Sequence, residues 1–106
     1  MSYRYMRVIV LFDLPMNNSA QVREYNQFRK YLIRNGFMMM QKSVYCKLAL
    51  NLTAVNAIIE NLRRNHPDEG LVQVLTLTEK QFSKIEFIIG KSYSDVLDSD
   101  QKMVIL

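Results

Sequence analysis

One carboxylate in this chain stands where chemistry could use it. Asp13 follows the apolar run Val8-Ile9-Val10-Leu11-Phe12 and precedes Leu14-Pro15, which places it at the carboxyl end of an expected strand. Aspartate is common in turns, where its side chain orders the backbone. The same position also suits a metal ligand, because hard cations such as magnesium take carboxylate and phosphate oxygens together. One carboxylate per chain makes a poor metal site. A symmetric pair of chains that brings two copies of Asp13 together makes a better one. No second acid lies close in sequence: Glu24 falls on the outer side of an expected helix, and Glu79 at the end of a later strand.

Other catalytic arrangements are missing. His66 is the one histidine; it precedes a proline at a helix end and reads as a surface residue. Cys46, the one cysteine, lies in an extended apolar stretch, where a small buried hydrophobe is the default. It cannot form an internal disulfide, so a reducing cytoplasm is the expected location. No spacing suggests zinc, no glycine-rich loop cradles phosphate, and no Gly-x-Ser-x-Gly elbow occurs. Met38-Met39-Met40 offers thioethers to a soft metal, but core filling is the expectation.

The basic residues offer a different chemistry. The net charge is +4 and the pI about 9.3, a balance that favours polyanions through counterion release. Arg23, Lys30 and Arg34 stand seven and four residues apart and share one helical stripe with Gln27. Such a stripe is either a solvated helix face or a row of phosphate contacts that holds nucleic acid without reading bases. Lys42 and Lys47 could extend it. No exposed aromatic platform of the RNA-recognition type is evident.

These residues must be positioned by a small scaffold. The 106 residues, 49% hydrophobic and 23% charged, suit one globular domain spanning 1–106. No apolar run is long enough to span a membrane, and no secretion signal is expected at the start. The triplets beginning at Asn17 and Asn51 match the glycosylation pattern but read better as turn and cap residues.

Residues 5–13 read as a strand apolar on both sides, with Met6, Val8, Val10 and Phe12 on one face and Ile9 and Leu11 on the other. Asn18 and Gln21 offer a capping box for a helix over 19–35 whose buried stripe is Val22, Tyr25, Phe28, Leu32 and Ile33; Gly36 ends it. Residues 37–50 read as two short strands, or one bent strand, broken near 41–43. Asn51 or Thr53 caps a second helix built on Val55, Ile58, Ile59 and Leu62, which closes on Arg63 and Arg64. A strand over 71–78, one helical turn over 79–83 and a further strand over 84–90 follow. Residues 92–102 read as a polar loop and 103–106 as a short edge strand.

This order is the split β-α-β arrangement of ferredoxin-like α+β folds, an antiparallel sheet with both helices on one face. The other face is then left to water, although Ile9, Leu11, Leu71, Leu75 and Leu77 include residues on each face of the two best strands. At roughly 25 cal/mol per Å² of apolar area, that is costly for so small a domain. A second copy packed sheet against sheet resolves the cost, so a homodimer is expected.

Val8-Ile9-Val10-Leu11-Phe12-Asp13-Leu14-Pro15, Phe28-Arg29-Lys30, Gly36-Phe37, Gln41-Lys42-Ser43-Val44-Tyr45 and Leu77-Thr78-Glu79-Lys80-Gln81-Phe82 together resemble the small subunit of the CRISPR spacer-acquisition machinery. This is the second of the two universal CRISPR-associated proteins, and the Thr78–Phe82 run resembles the type II-A branch. The resemblance covers nearly the whole chain. It implies a ferredoxin-like homodimer that bridges dimers of a larger integrase subunit while a duplex prespacer is captured and inserted at the CRISPR repeat. It implies that the integrase carries that chemistry. It also implies that some members cleave RNA or DNA with magnesium, with the residue matching Asp13 as ligand. Basic residues that follow this aspartate in some relatives are replaced here by Met16-Asn17-Asn18, which moves the expected DNA contacts to Arg23, Lys30, Arg34 and Lys42. Met103, Val104, Ile105 and Leu106 are the expected partner-docking strand.

Overall fold

The structure, a computed structural model, describes residues 5–90. Its elements run β1 (Met6–Asp13), α1 (Ser19–Arg34), β2 (Met38–Gln41), β3 (Val44–Ala49), α2 (Leu52–Arg64), β4 (Leu71–Thr78) and α3 (Glu79–Phe82). The strands form one four-stranded sheet in the order β2-β3-β1-β4, with every neighbouring pair antiparallel. Each long helix connects two strands that have a third strand between them, the interlocked crossover of a ferredoxin-like fold. The expected architecture is therefore present.

Local chemistry sets the boundaries. Pro15 fixes its own φ and pushes Leu14 away from helical geometry, so β1 stops there. The Asn18 side chain then accepts from the Gln21 amide at 2.9 Å. The Gln21 side chain reaches one residue further back than a standard capping box, accepting from the Asn17 amide at 2.8 Å. At the other end of α1, Phe37 N donates to Leu32 O at 3.0 Å and Gly36 N to Ile33 O at 3.1 Å. With Gly36 at φ +86°, this is a Schellman ending. Asn51 caps α2 by accepting from the Ala54 amide at 2.9 Å. A reciprocal box between Thr78 and Gln81 starts α3.

The core lies between the two long helices and one face of the sheet. Val8, Val10 and Phe12 of β1 and Tyr45 and Ala49 of β3 meet Tyr25, Phe28 and Leu32 of α1 and Val55 and Leu62 of α2. Phe12 stands edge-on to Phe28 with ring centroids 5.2 Å apart, a favoured aromatic geometry. Each of these side chains contributes about 1.5–3 kcal/mol of transfer free energy when fully buried.

The register assigns the opposite face. Arg7, Ile9, Leu11 and Asp13 share it with Leu48, Cys46 and Val44 of β3 and with Leu77, Leu75, Gln73 and Leu71 of β4. Neither α1 nor α2 covers it, and Leu48, Leu71 and Leu75 are about half exposed there.

Three expectations are corrected. Val22 and Ile33 flank the buried stripe of α1 and are exposed, because one face of a helix this short touches the sheet over little more than Tyr25, Phe28 and Leu32. Met38 and Met39 do not fill the core but lie exposed on the edge strand β2. Residues 84–90 do not form a strand; they leave α3 without pairing to any strand among the described residues. The expected loop over 92–102 and the edge strand over 103–106 lie outside the described residues. Among the described residues, no helix is long and apolar enough to cross a membrane.

Candidate nucleic-acid interface

Asp13 ends β1 opposite Leu71, the first residue of β4, and its register turns it toward the helix-free face. It is exposed to solvent. Two backbone contacts fix this end of the strand. Phe12 N donates to Ser43 O at 3.0 Å, and Gly70 packs so closely that a Cβ there would lie 2.7 Å from the Asp13 carbonyl oxygen. The β2–β3 turn, with Lys42, is thus at the same end of the sheet as Asp13. That turn is also tied to α1, because the Tyr25 hydroxyl donates to the Lys42 carbonyl at 3.3 Å.

Sequence order hid two acids that the fold brings to this end. Asp68 and Glu69 immediately precede Gly70, and strand pairing carries them alongside Asp13. The signal was present in Asp68-Glu69-Gly70 as the lead-in to an obvious strand, but it needed the β1–β4 pairing to acquire meaning. The backbone of Asp68 and the carboxylate of Glu69 are both tied to α1. The Asp68 amide donates to Glu24 Oε1 at 2.9 Å, and Gln21 Nε2 lies 3.4 Å from Glu69 Oε2.

The fit to magnesium can be judged from this donor set. Among the described residues no group of three or more His, Cys, Asp or Glu side chains could hold a metal ion. Octahedral magnesium keeps several waters but still needs more than one isolated exposed carboxylate for a defined site. The described residues of a single chain do not supply such a site.

The basic stripe is where the spacing put it. Arg23, Lys30 and Arg34 are all exposed on α1, as is Gln27. Gln27 also borders a polar cleft with Tyr31 and the Asn65-His66-Pro67 end of α2. Lys42 is exposed on its turn. Arg29, passed over in the sequence reading, emerges beside this row with Nε 3.1 Å from the hydroxyl of the buried Tyr45. Lys47 does not join it: its Nζ donates to the Asn35 carbonyl at 2.5 Å and sits 5.9 Å from the centre of the Phe37 ring. That ammonium caps the C-terminus of α1, where the helix dipole favours a cation. At the end of α2, Arg63 pairs with Glu60 at 3.0 Å on the surface, a contact of little net energy.

His66 is exposed, with Nδ1 2.7 Å from the Pro67 carbonyl. Cys46 is buried, as expected. Burial pushes its thiol up, and the neighbouring Arg7 cation acts against that shift. Met103, Val104, Ile105 and Leu106, the expected docking strand, lie outside the described residues.

A strand ending in an exposed aspartate, a lysine-bearing hairpin turn beside it and a basic first helix, all on one ferredoxin-like sheet, fit the family resemblance of the sequence. The model of the family "CRISPR associated protein Cas2" matches residues 6–85. The chain belongs to the Cas2 family. A relative from Treponema denticola, named CRISPR-associated endoribonuclease Cas2, is 54% identical over 95% of this chain and 100% of its own length. A relative of the same name from Streptococcus mutans is 41% identical over 95% of this chain and 93% of its own. Among solved structures, a Cas2 crystal structure matches with a TM-score of 0.54 at 20% identity, covering 85% of this chain and 92% of that one. At that identity the likeness bears on the fold, and it agrees with the Cas2 assignment.

Proposed function

We propose that this Cas2 protein works as a structural, DNA-binding homodimer in CRISPR spacer acquisition, bridging the larger integrase subunits while it holds the prespacer duplex through sequence-independent phosphate contacts. The observation that carries this reading is the exposed row Arg23, Lys30 and Arg34 on α1, none of which pairs with an acid among the described residues. Free cations on a rigid helix can neutralise phosphates without reading bases. The helix-free face supports the dimer, since Leu48, Leu71 and Leu75 are exposed side by side with the buried Ile9 and Cys46. A second copy covering those leucines removes apolar area from water and gives the assembly two basic rows related by its axis. Met103, Val104, Ile105 and Leu106 are assigned to integrase docking, and a cytoplasmic location follows from the role.

The test replaces Arg23, Lys30 and Arg34 together by glutamate. The variant should fold and dimerise but lose capture of a short duplex, and the salt dependence of binding should weaken. Each phosphate contact contributes roughly 0.9 to the slope of log affinity against log salt, so two rows of three account for about five. Normal capture and integration by the triple variant would sink the assignment of the row.

A second reading is supported by the name endoribonuclease carried by the relatives and by the open-face register of Asp13. In it, the Asp13 carboxylates of two subunits meet across the dimer axis and hold a magnesium ion for cleavage of RNA or DNA. Cleavage that depends on magnesium and disappears in Asp13→Asn supports it. Cleavage that survives Asp13→Asn excludes it.

A further inference from the structure

Arg29 differs from the other cations of α1 in being tied to the core. Its Nε donates to the Tyr45 hydroxyl at 3.1 Å, and Tyr45 is among the most deeply buried side chains of the chain. Arg29 itself is exposed, and no acid pairs with it among the described residues. Satisfying a buried hydroxyl takes one donor. The guanidinium fork still has the N–H groups of Nη1 and Nη2 for an acceptor outside the chain.

Tyr45 is held in turn. Its ring stacks on Phe12 with centroids 5.8 Å apart, and Phe12 also meets Tyr25 at 5.9 Å. Tyr25 donates through its hydroxyl to the Lys42 carbonyl. One aromatic cluster therefore fixes the end of β1 just before Asp13, the backbone of the Lys42 turn and the guanidinium of Arg29. Arg29 stands one helical turn after Tyr25, so Lys42 and Arg29 follow each other along one flank of α1. A long cationic side chain loses rotamer freedom when it grips a partner. Here folding has already fixed the fork at Nε, so less ordering is left for binding.

We propose that Arg29 is a further phosphate-binding residue, set in place by the Tyr45 hydroxyl, and that with Lys42 it forms a second line of duplex contacts along the flank of α1. The inference rests on the DNA-binding reading above and adds a residue outside the row of Arg23, Lys30 and Arg34. Tyr45 touches no phosphate in this scheme; it is a positioning residue.

Capture of a short DNA duplex by the full-length protein is titrated between about 50 and 200 mM salt. Wild type, Arg29→Ala, Arg29→Lys and Tyr45→Phe are compared at concentrations where they sediment identically, with folding checked by circular dichroism. One lost phosphate contact on each subunit of a dimer should lower the salt slope of Arg29→Ala by about 1.8 and its affinity about thirtyfold near 0.15 M salt. Arg29→Lys should restore the slope. Tyr45→Phe keeps the charge but frees the side chain, so its slope should match wild type while its affinity falls about tenfold. If Arg29→Ala does not fold, Arg29→Gln supplies the slope in its place. A wild-type slope in the folded charge-removed variant overturns the phosphate contact, even if its melting temperature falls. Wild-type affinity in Tyr45→Phe overturns the positioning. Either result beside normal capture by wild type sinks this inference alone, whereas a wild type that captures no duplex sinks the DNA-binding reading with it.

Discussion

Replacing Gly70 by alanine tests how the end of β1 is held in place. Gly70 has φ +98°, a conformation that costs a residue with a side chain about 1–3 kcal/mol. The added Cβ would lie 2.7 Å from the Asp13 carbonyl oxygen, 2.8 Å from Leu14 Cδ2 and 3.1 Å from Leu14 Cα. Relaxed contacts of this kind lie at about 3.5–4.0 Å between carbons, so the neighbours must retreat by roughly half an ångström or more. Two of them belong to backbone that follows a paired strand, and Leu14 itself is buried, so overpacking adds about 1–3 kcal/mol. Stiffening the unfolded chain returns about 0.4–1 kcal/mol. The net loss is about 3 kcal/mol, which for a domain of this size lowers the melting temperature by roughly 12–24 °C.

The control is Gly36→Ala. Gly36 has nearly the same φ, +86°, but its added Cβ would meet only the flexible end of Lys47, at 3.5 Å. It should lose only the backbone part, about 1–2 kcal/mol. Urea titrations of both variants at one fixed protein concentration measure the difference, since self-association would otherwise shift the apparent stability. Equal losses at the two glycines would refute the close-approach argument. A larger loss at Gly70 would confirm that the Asp13 end of the sheet is set by a backbone contact that tolerates no side chain.

Two further outcomes follow from the sheet face and from the ion pair at its edge, where Arg7 Nε lies 2.8 Å from Glu79 Oε2. Leu75→Glu places a charge among the exposed leucines and should leave the folded chain within about 0.5 kcal/mol of wild type, as exposed substitutions usually do; sedimentation should show the variant as a monomer where wild type is a dimer. Hydrogen bonding to Arg7 holds the Glu79 carboxyl below its usual range. Its contribution to stability is therefore complete above the unfolded glutamate range and is lost as pH falls through the lowered folded value. The loss of stability on acidification should be smaller in Glu79→Gln, and an identical acid profile would show that the pair does not act this way.

Much of this was readable before any coordinates, for reasons that differ by element. β1, α2 and β4 carry local signals strong enough to stand alone: an apolar run closed by Leu14-Pro15, a capping asparagine at Asn51, an alternating Leu71-Val72-Gln73-Val74-Leu75. The basic row of α1 was readable because helical spacing alone places it. What failed was non-local. Residues 84–90 have the composition of a strand, but strand propensity measures fitness for a neighbour and does not supply one. Met38 and Met39 have core chemistry, yet the strand order put them at an edge. The nearness of Glu69 to Asp13, the diversion of Lys47 to a helix end and the Arg7–Glu79 ion pair, 72 residues apart in sequence, all depend on pairings between distant segments.

The strand order also leaves β4 at a border. It bonds β1 on one side and no strand on the other among the described residues, so one margin of an eight-residue strand keeps its amides and carbonyls ready for another chain. Leu71 and Leu75 project beside that margin half bare, and no proline or lysine interrupts the run. Such a rim is a nucleation point for disordered sheet growth when its proper neighbour is scarce. Overproduced alone at high concentration, the protein is a candidate for precipitation, which a partner that closes the rim should relieve.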